Sequence, residues 1–148
     1  MQIVRGQACK TGTDVDHLCQ ECGCGFDLVE AAEYHMEWRT RLQSHIEGKA
    51  LEAAFSEIVC EDNCCNVGGW LRGIGQRKFG HLASFRRLEL EHSQFHSFAE
   101  MILARVQDKE LLDAEHLLKN EFSQSTRRIL VAIGELNEVV QQQATKSV

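Results

Sequence analysis

No proline interrupts this chain, and through most of it apolar residues recur at intervals of three and four. That spacing places them on one face of an α-helix, and nothing in the sequence breaks the backbone hydrogen-bond ladder by removing a donor. No segment sustains the period-two alternation of a half-buried strand. The chain therefore folds from long amphipathic helices or from very little else.

From Asp27 onward the first helix carries Leu28, Ala31, Ala32, His35, Trp38, Leu42 and Ile46 on one stripe, with Gly48 as its stop. A second apolar stretch, Leu51 to Val59, adds a turn or two before the polar break Glu61-Asp62-Asn63. Asn63 is placed to cap a short helix from Cys64 to about Arg72, and Gly73, Gly75 and Gly80 then mark a loop. A third helix runs from about Ser84 to Val106 and a fourth from about Lys109 to Gln143. Three long helices and one short one, joined by short links, predict an all-α, up-and-down four-helix bundle over residues 27–143.

Residues 1–26 are different. They hold Cys9, Cys19, Cys22 and Cys24 and four glycines, with almost no large apolar residue in periodic position. Such a stretch is a Cys-rich tail without a core of its own. Seven cysteines in total bear on compartment. The opening MQIVRGQACK lacks the apolar run of a signal peptide, and no stretch approaches the length of a membrane span. The expectation is a cytoplasmic protein whose thiols stay reduced, so metal binding or thiol chemistry outranks a disulfide framework. A net charge of −6 gives no footprint for nucleic acid, and the pairs Arg39/Arg41 and Arg86/Arg87 read as solvated helix faces.

His92 and His96 lie four residues apart, which puts both rings on one helix face. His35 falls on the apolar stripe of the first helix. One histidine in a core is usually just hydrogen-bonded there, but three on inward stripes of two helices need three separate solutions, and one bound metal satisfies them together. A cysteine completes a tetrahedral set, and sulfur with imidazole suits zinc. Cys65 is the better choice of the adjacent pair, because the first turn of the short helix favours a thiolate. Val67 and Trp70 would aim it inward. Cys64 reads as a small, partly buried residue and Cys60 as an apolar linker position, while His45, His81 and His116 have no companion at ligand spacing.

His35 with Trp38 three residues on, Cys65-Asn-Val-Gly-Gly-Trp70, and His92-x-x-x-His96 resemble the signature of the chemoreceptor zinc-binding (CZB) domain. The resemblance spans roughly residues 27–143. It implies a four-helix bundle that binds one zinc ion through His35, Cys65, His92 and His96 and is typically homodimeric, regulating chemoreceptors or diguanylate cyclases. It also implies that Cys65 is a movable ligand that releases zinc or reacts with oxidants such as hypochlorous acid. The usual output modules are lacking, so a separate signalling protein would read the state.

The tail carries a second motif, Cys19-x-x-Cys22-Gly-Cys24, which resembles the N-terminal metal-binding motif of the nickel-incorporation GTPase of hydrogenase maturation. Three thiols within six residues can wrap one soft ion, zinc or nickel, with Cys9 or His17 as a fourth ligand. Two functions follow. One is a zinc-binding regulatory or sensor module without enzymatic activity. The other is a metallochaperone whose tail hands an ion to an acceptor protein. A zinc hydrolase fits poorly, because four protein ligands leave no water position and Ser93 stands where an H-E-x-x-H protease has its glutamate. A di-iron site lacks oxygen ligands at the required spacing.

Overall fold

The computed structural model describes residues 26–49 and 65–146. The Cys-rich tail to Gly25 and the apolar stretch Leu51–Val59 lie outside the described residues. Among those described there are helices and no strand, in keeping with an all-α bundle.

Helix α1, Leu28–Ile46, begins where the side chain of Asp27 accepts the backbone N–H groups of Val29 (2.9 Å) and Glu30 (3.2 Å). That cap satisfies two of the donors a helix start leaves orphaned. The helix ends at Gly48, whose φ of 70° lies in the left-handed region open to glycine. Its inward face holds Leu28, Ala31, His35, Trp38, Leu42 and Ile46, as the sequence pattern requires.

Two short helices follow. Helix α2, Asn66–Arg72, is capped by Cys65 itself, whose sulfur accepts the N–H of Gly68 at 3.3 Å. The helix therefore starts two residues later than the spacing predicts, and the cysteine is its cap, standing just outside the first turn. Helix α3, Ile74–Phe79, occupies what the three glycines mark as a loop. The glycines are needed for contact. A Cβ on Gly75 would lie 2.8 Å from the Trp70 ring and from the Trp70 carbonyl, so only glycine lets α3 fold back onto α2.

Helix α4, Ala83–Gln107, buries Phe85, Leu88, His92, Phe95, His96, Ala99, Ile102 and Leu103. Lys109, at φ 61°, turns the chain into the last helical stretch. That stretch is not the single regular helix the sequence predicts. It comprises α5 (Leu111–Leu117), a π-helical turn (Leu118–Phe122) and α6 (Ser123–Lys146). The wide turn leaves the Leu118 carbonyl to the Ser123 hydroxyl, which donates to it at 2.8 Å, and swings Phe122 into the core. Insertions of this kind recur beside functional sites.

Helix α4 lies against α5, the π-turn and α6, while α1 packs on α6 and α4. Two ion pairs fix the register of α4 on α6: Arg87 with Glu135 at 3.0 Å and Arg128 with Glu91 at 3.1 Å. The core runs between the three long elements, with Trp38, Phe85, Phe95 and Phe122 as its largest fully buried side chains. Each such side chain contributes on the order of 2 kcal/mol of burial energy. No described helix is long and apolar enough to cross a membrane.

Candidate metal centre

Four side chains from three elements converge in this core: His35 from α1, Cys65 from the cap of α2, and His92 and His96 from α4. One ligand atom from each lies within 4.8 Å of the others. His92 Nε2 sits between two of them, 3.0 Å from Cys65 Sγ and 3.1 Å from His96 Nε2. All four residues are buried, with His35 fully so and Cys65, at 8%, the least so.

Burial has an electrostatic consequence. Desolvation lowers the pKa of His35 from its usual value, opposed by its bond to the Ala31 carbonyl. His92 is pushed down to about 2, by burial first, then by repulsion from His96, His35 and Arg72. His35 and His92 are therefore neutral, and each neutral imidazole has a lone pair to offer.

The tautomer of His35 is settled by its backbone. Its Nδ1 lies 2.7 Å from the carbonyl of Ala31, one turn back on α1, so Nδ1 carries the proton and donates it. Nε2 is then a bare acceptor facing the cluster, fully buried and without a hydrogen-bond donor. A buried acceptor left this way costs about 1–3 kcal/mol. A cation among the four atoms removes that cost, and the Nδ1–H···O=C bond is the kind of support that orients metal-bound imidazole.

The donor set fits zinc. Tetrahedral zinc with bonds of about 2.0–2.1 Å to nitrogen and 2.3 Å to sulfur separates nitrogen donors by about 3.3 Å and nitrogen from sulfur by about 3.6 Å. To reach those values the His92–His96 distance of 3.1 Å needs to open by about 0.2 Å and the His92–Cys65 distance of 3.0 Å by about 0.6 Å, and the widest separation in the cluster, up to 4.8 Å, needs to close. The Gly68 N–H at the sulfur supports the thiolate that zinc requires.

An aromatic wall holds the rings in place. Phe95 meets His35 edge-on at 5.0 Å, Trp38 meets His96 at 4.9 Å, and Phe122 of the π-turn backs Phe95 at 4.8 Å. On the α2 side Trp70 packs on Phe85 at 5.7 Å and stacks flat on Phe26, with centroids 4.6 Å apart and planes 9° apart. Sequence periodicity does not reveal the parts played by Phe26, Phe122 or the Ala31 carbonyl. The only sequence signal for Phe26 is that it is the large aromatic residue immediately before the α1 cap.

His45, His81 and His116 stay outside the cluster. His116 lies on α5, with its carbonyl accepting from the Asn120 amide at 2.9 Å. The proposed tail ligands Cys9, His17, Cys19, Cys22 and Cys24, together with Cys60 and Cys64, lie outside the described residues.

An all-helical bundle with a buried three-histidine, one-cysteine cluster defines a metal-binding helical module. Residues 35–103 match the family model of the chemoreceptor zinc-binding domain. The match opens on His35 and runs past His96, so it takes in all four residues of the cluster. Neither the curated proteins nor the solved structures give a significant match.

Proposed function

We propose that the chain is a zinc-binding sensor module in which His35, Cys65, His92 and His96 hold one ion and Cys65 is the ligand that lets go. The observation that carries this reading is the bare Nε2 of His35, oriented by Ala31 toward two imidazoles and a sulfur. A core histidine kept only for packing would have found a donor.

The ligands are unequal. Three histidines belong to helices of 19 and 25 residues, whereas Cys65 caps one of seven. Local opening costs least where few packed turns must be released. Oxidants attack thiolate sulfur and leave coordinated imidazole alone. Loss of Cys65 then leaves a weaker three-histidine site, zinc leaves or takes water in the fourth position, and α2 shifts on the bundle. The full four-ligand shell has no open position for a substrate, so the role is regulatory and not catalytic. A second copy of the chain and a separate signalling protein are the partners this role calls for, acting in the cytoplasm.

The experiment is metal analysis of the full chain and its variants. Wild type should hold one tightly bound zinc at the bundle. His92→Ala, His96→Ala and Cys65→Ser should each lose most of it, and Cys64→Ser should not. Full occupancy in a His35/His92/His96 triple variant would overturn the assignment. The tail motif Cys19-x-x-Cys22-Gly-Cys24 supports a second reading, delivery of zinc or nickel to an acceptor. That reading requires tail-bound metal to reach the acceptor faster than it escapes to a chelator.

A further inference from the structure

Of the four ligands, His92 lines an opening of about 70 Å³, together with Gly68, Leu71, Arg72 and Glu89. That is room for a few water molecules, the escort of a hydrated cation. His35 and His96 instead meet Phe95 and Trp38 edge-on, at 5.0 and 4.9 Å. His92 is also the hub of the cluster, with its Nε2 3.0 Å from Cys65 Sγ and 3.1 Å from His96 Nε2. An ion that reaches His92 therefore has two further ligand atoms beside it.

Glu89 stands in this opening, three residues before His92 on α4, a spacing that puts the two side chains on neighbouring positions of one helix face. It is half-buried. Among the described residues Glu89 takes part in no hydrogen bond or ion pair, whereas Glu91, two residues on, is engaged by Arg128 at 3.1 Å. Arg72 of α2 lines the same opening and repels an incoming cation, so Glu89 is the group that offsets it. Carboxylate oxygen binds zinc, yet the buried cluster contains none. A carboxylate next to that cluster can hold an ion briefly and yield it to nitrogen and sulfur.

Resting on the reading of His35, Cys65, His92 and His96 as a zinc site, we propose that Glu89 is the transit ligand through which a hydrated divalent cation enters and leaves it. Glu89 takes the place of water on the incoming ion and passes it to His92, whose neighbours complete the set. A transit ligand belongs to neither end state, so it lowers the barrier equally in both directions. Its removal slows loading and release alike and leaves Kd where it was. A merely distant negative charge behaves differently, because it holds the bound ion and its removal speeds release.

The test uses the full chain carrying Cys9→Ser, Cys19→Ser, Cys22→Ser and Cys24→Ser, so that the tail thiols contribute no ion to the count. Loading with zinc chloride is followed by stopped flow. Release is followed into a chromophoric chelator, at concentrations where the rate no longer depends on the chelator. Glu89→Gln should slow both rates about fivefold to tenfold, the worth of one unit charge on a divalent ion about 5 Å away at physiological salt. Kd from chelator competition should stay within about twofold, and the metal-free urea midpoint should match the parent, since Glu89 has no described partner to lose. Glu89→Asp keeps the carboxylate and should keep both rates closer to the parent than Glu89→Gln does. Glu100, exposed on α4 four residues after His96, is the control, and Glu100→Gln should change neither rate. Rates that do not fall together in Glu89→Gln, or that fall as far in Glu100→Gln, overturn the transit role and leave the zinc site standing. A parent protein that holds no zinc at the bundle overturns both.

Discussion

Replacing His35 by leucine should change the sign of its effect on stability when zinc is added. In the metal-free protein the substitution removes a buried acceptor that has no donor, a relief of about 1–3 kcal/mol. It also removes the Nδ1 bond to the Ala31 carbonyl, a loss of about 1 kcal/mol, although that carbonyl keeps its helical partner. The leucine fills most of the same space among Phe95, His92 and His96. Metal-free His35→Leu should therefore be more stable than metal-free wild type by about 1 kcal/mol. With zinc at about one hundred times its dissociation constant, wild type gains about 2.7 kcal/mol and a variant that no longer binds gains nothing. The variant then falls behind by about 2 kcal/mol, or roughly 3–7 °C in Tm for a chain of this size. Urea titrations of both proteins, with excess chelator and with excess zinc, read the two differences directly. If His35→Leu destabilises both forms equally, His35 is a packed core residue and its bare nitrogen says nothing about metal.

Acid should weaken the metal-free fold in a defined window. His92 is depressed from 6.5 to about 2, so below pH 6.5 the unfolded chain binds the proton that the folded chain refuses. Stability is flat above about pH 7 and falls with pH beneath it, by about 2 kcal/mol from His92 alone between pH 7 and pH 5, with His35 adding in the same direction. Denaturant midpoints at the two values would expose a flat profile, which refutes the buried neutral state. Gly75→Ala should disturb the seat of Trp70, because its Cβ would meet that ring at 2.8 Å. The measurable outcome is faster zinc loss to a chelator than from wild type, and an unchanged rate counts against the packing argument. Phe122→Ala should cost about 3–5 kcal/mol and lower zinc affinity along with stability, since Phe122 backs Phe95 and Phe95 backs His35. Wild-type affinity in a still-folded variant would show that the aromatic wall does not position the ligands.

By itself the sequence determines that this protein is built from helices and which faces of α1 and α4 turn inward. A 3.6-residue period is a local property of the backbone, and Leu28 to Ile46 or Phe85 to Leu103 display it without reference to any neighbour. The same local geometry puts His92 and His96 on one face and His35 on the core stripe, so the candidate ligands are legible before any fold is known. What needs the tertiary structure is every feature set by contact between elements. Gly75 reads as a loop residue because its sequence signal is the same whether glycine bends the chain or makes room for a ring, and only the approach of Trp70 shows that it does the second. The π-turn at Leu118–Phe122 inserts one residue's worth of backbone to bring Phe122 onto Phe95, a choice made by the core and not by helix propensity. Cys65 caps α2 instead of lying within it, which aims its sulfur at both Gly68 and His92. The Phe26 stack on Trp70 joins residues 44 positions apart, a pairing no local pattern encodes.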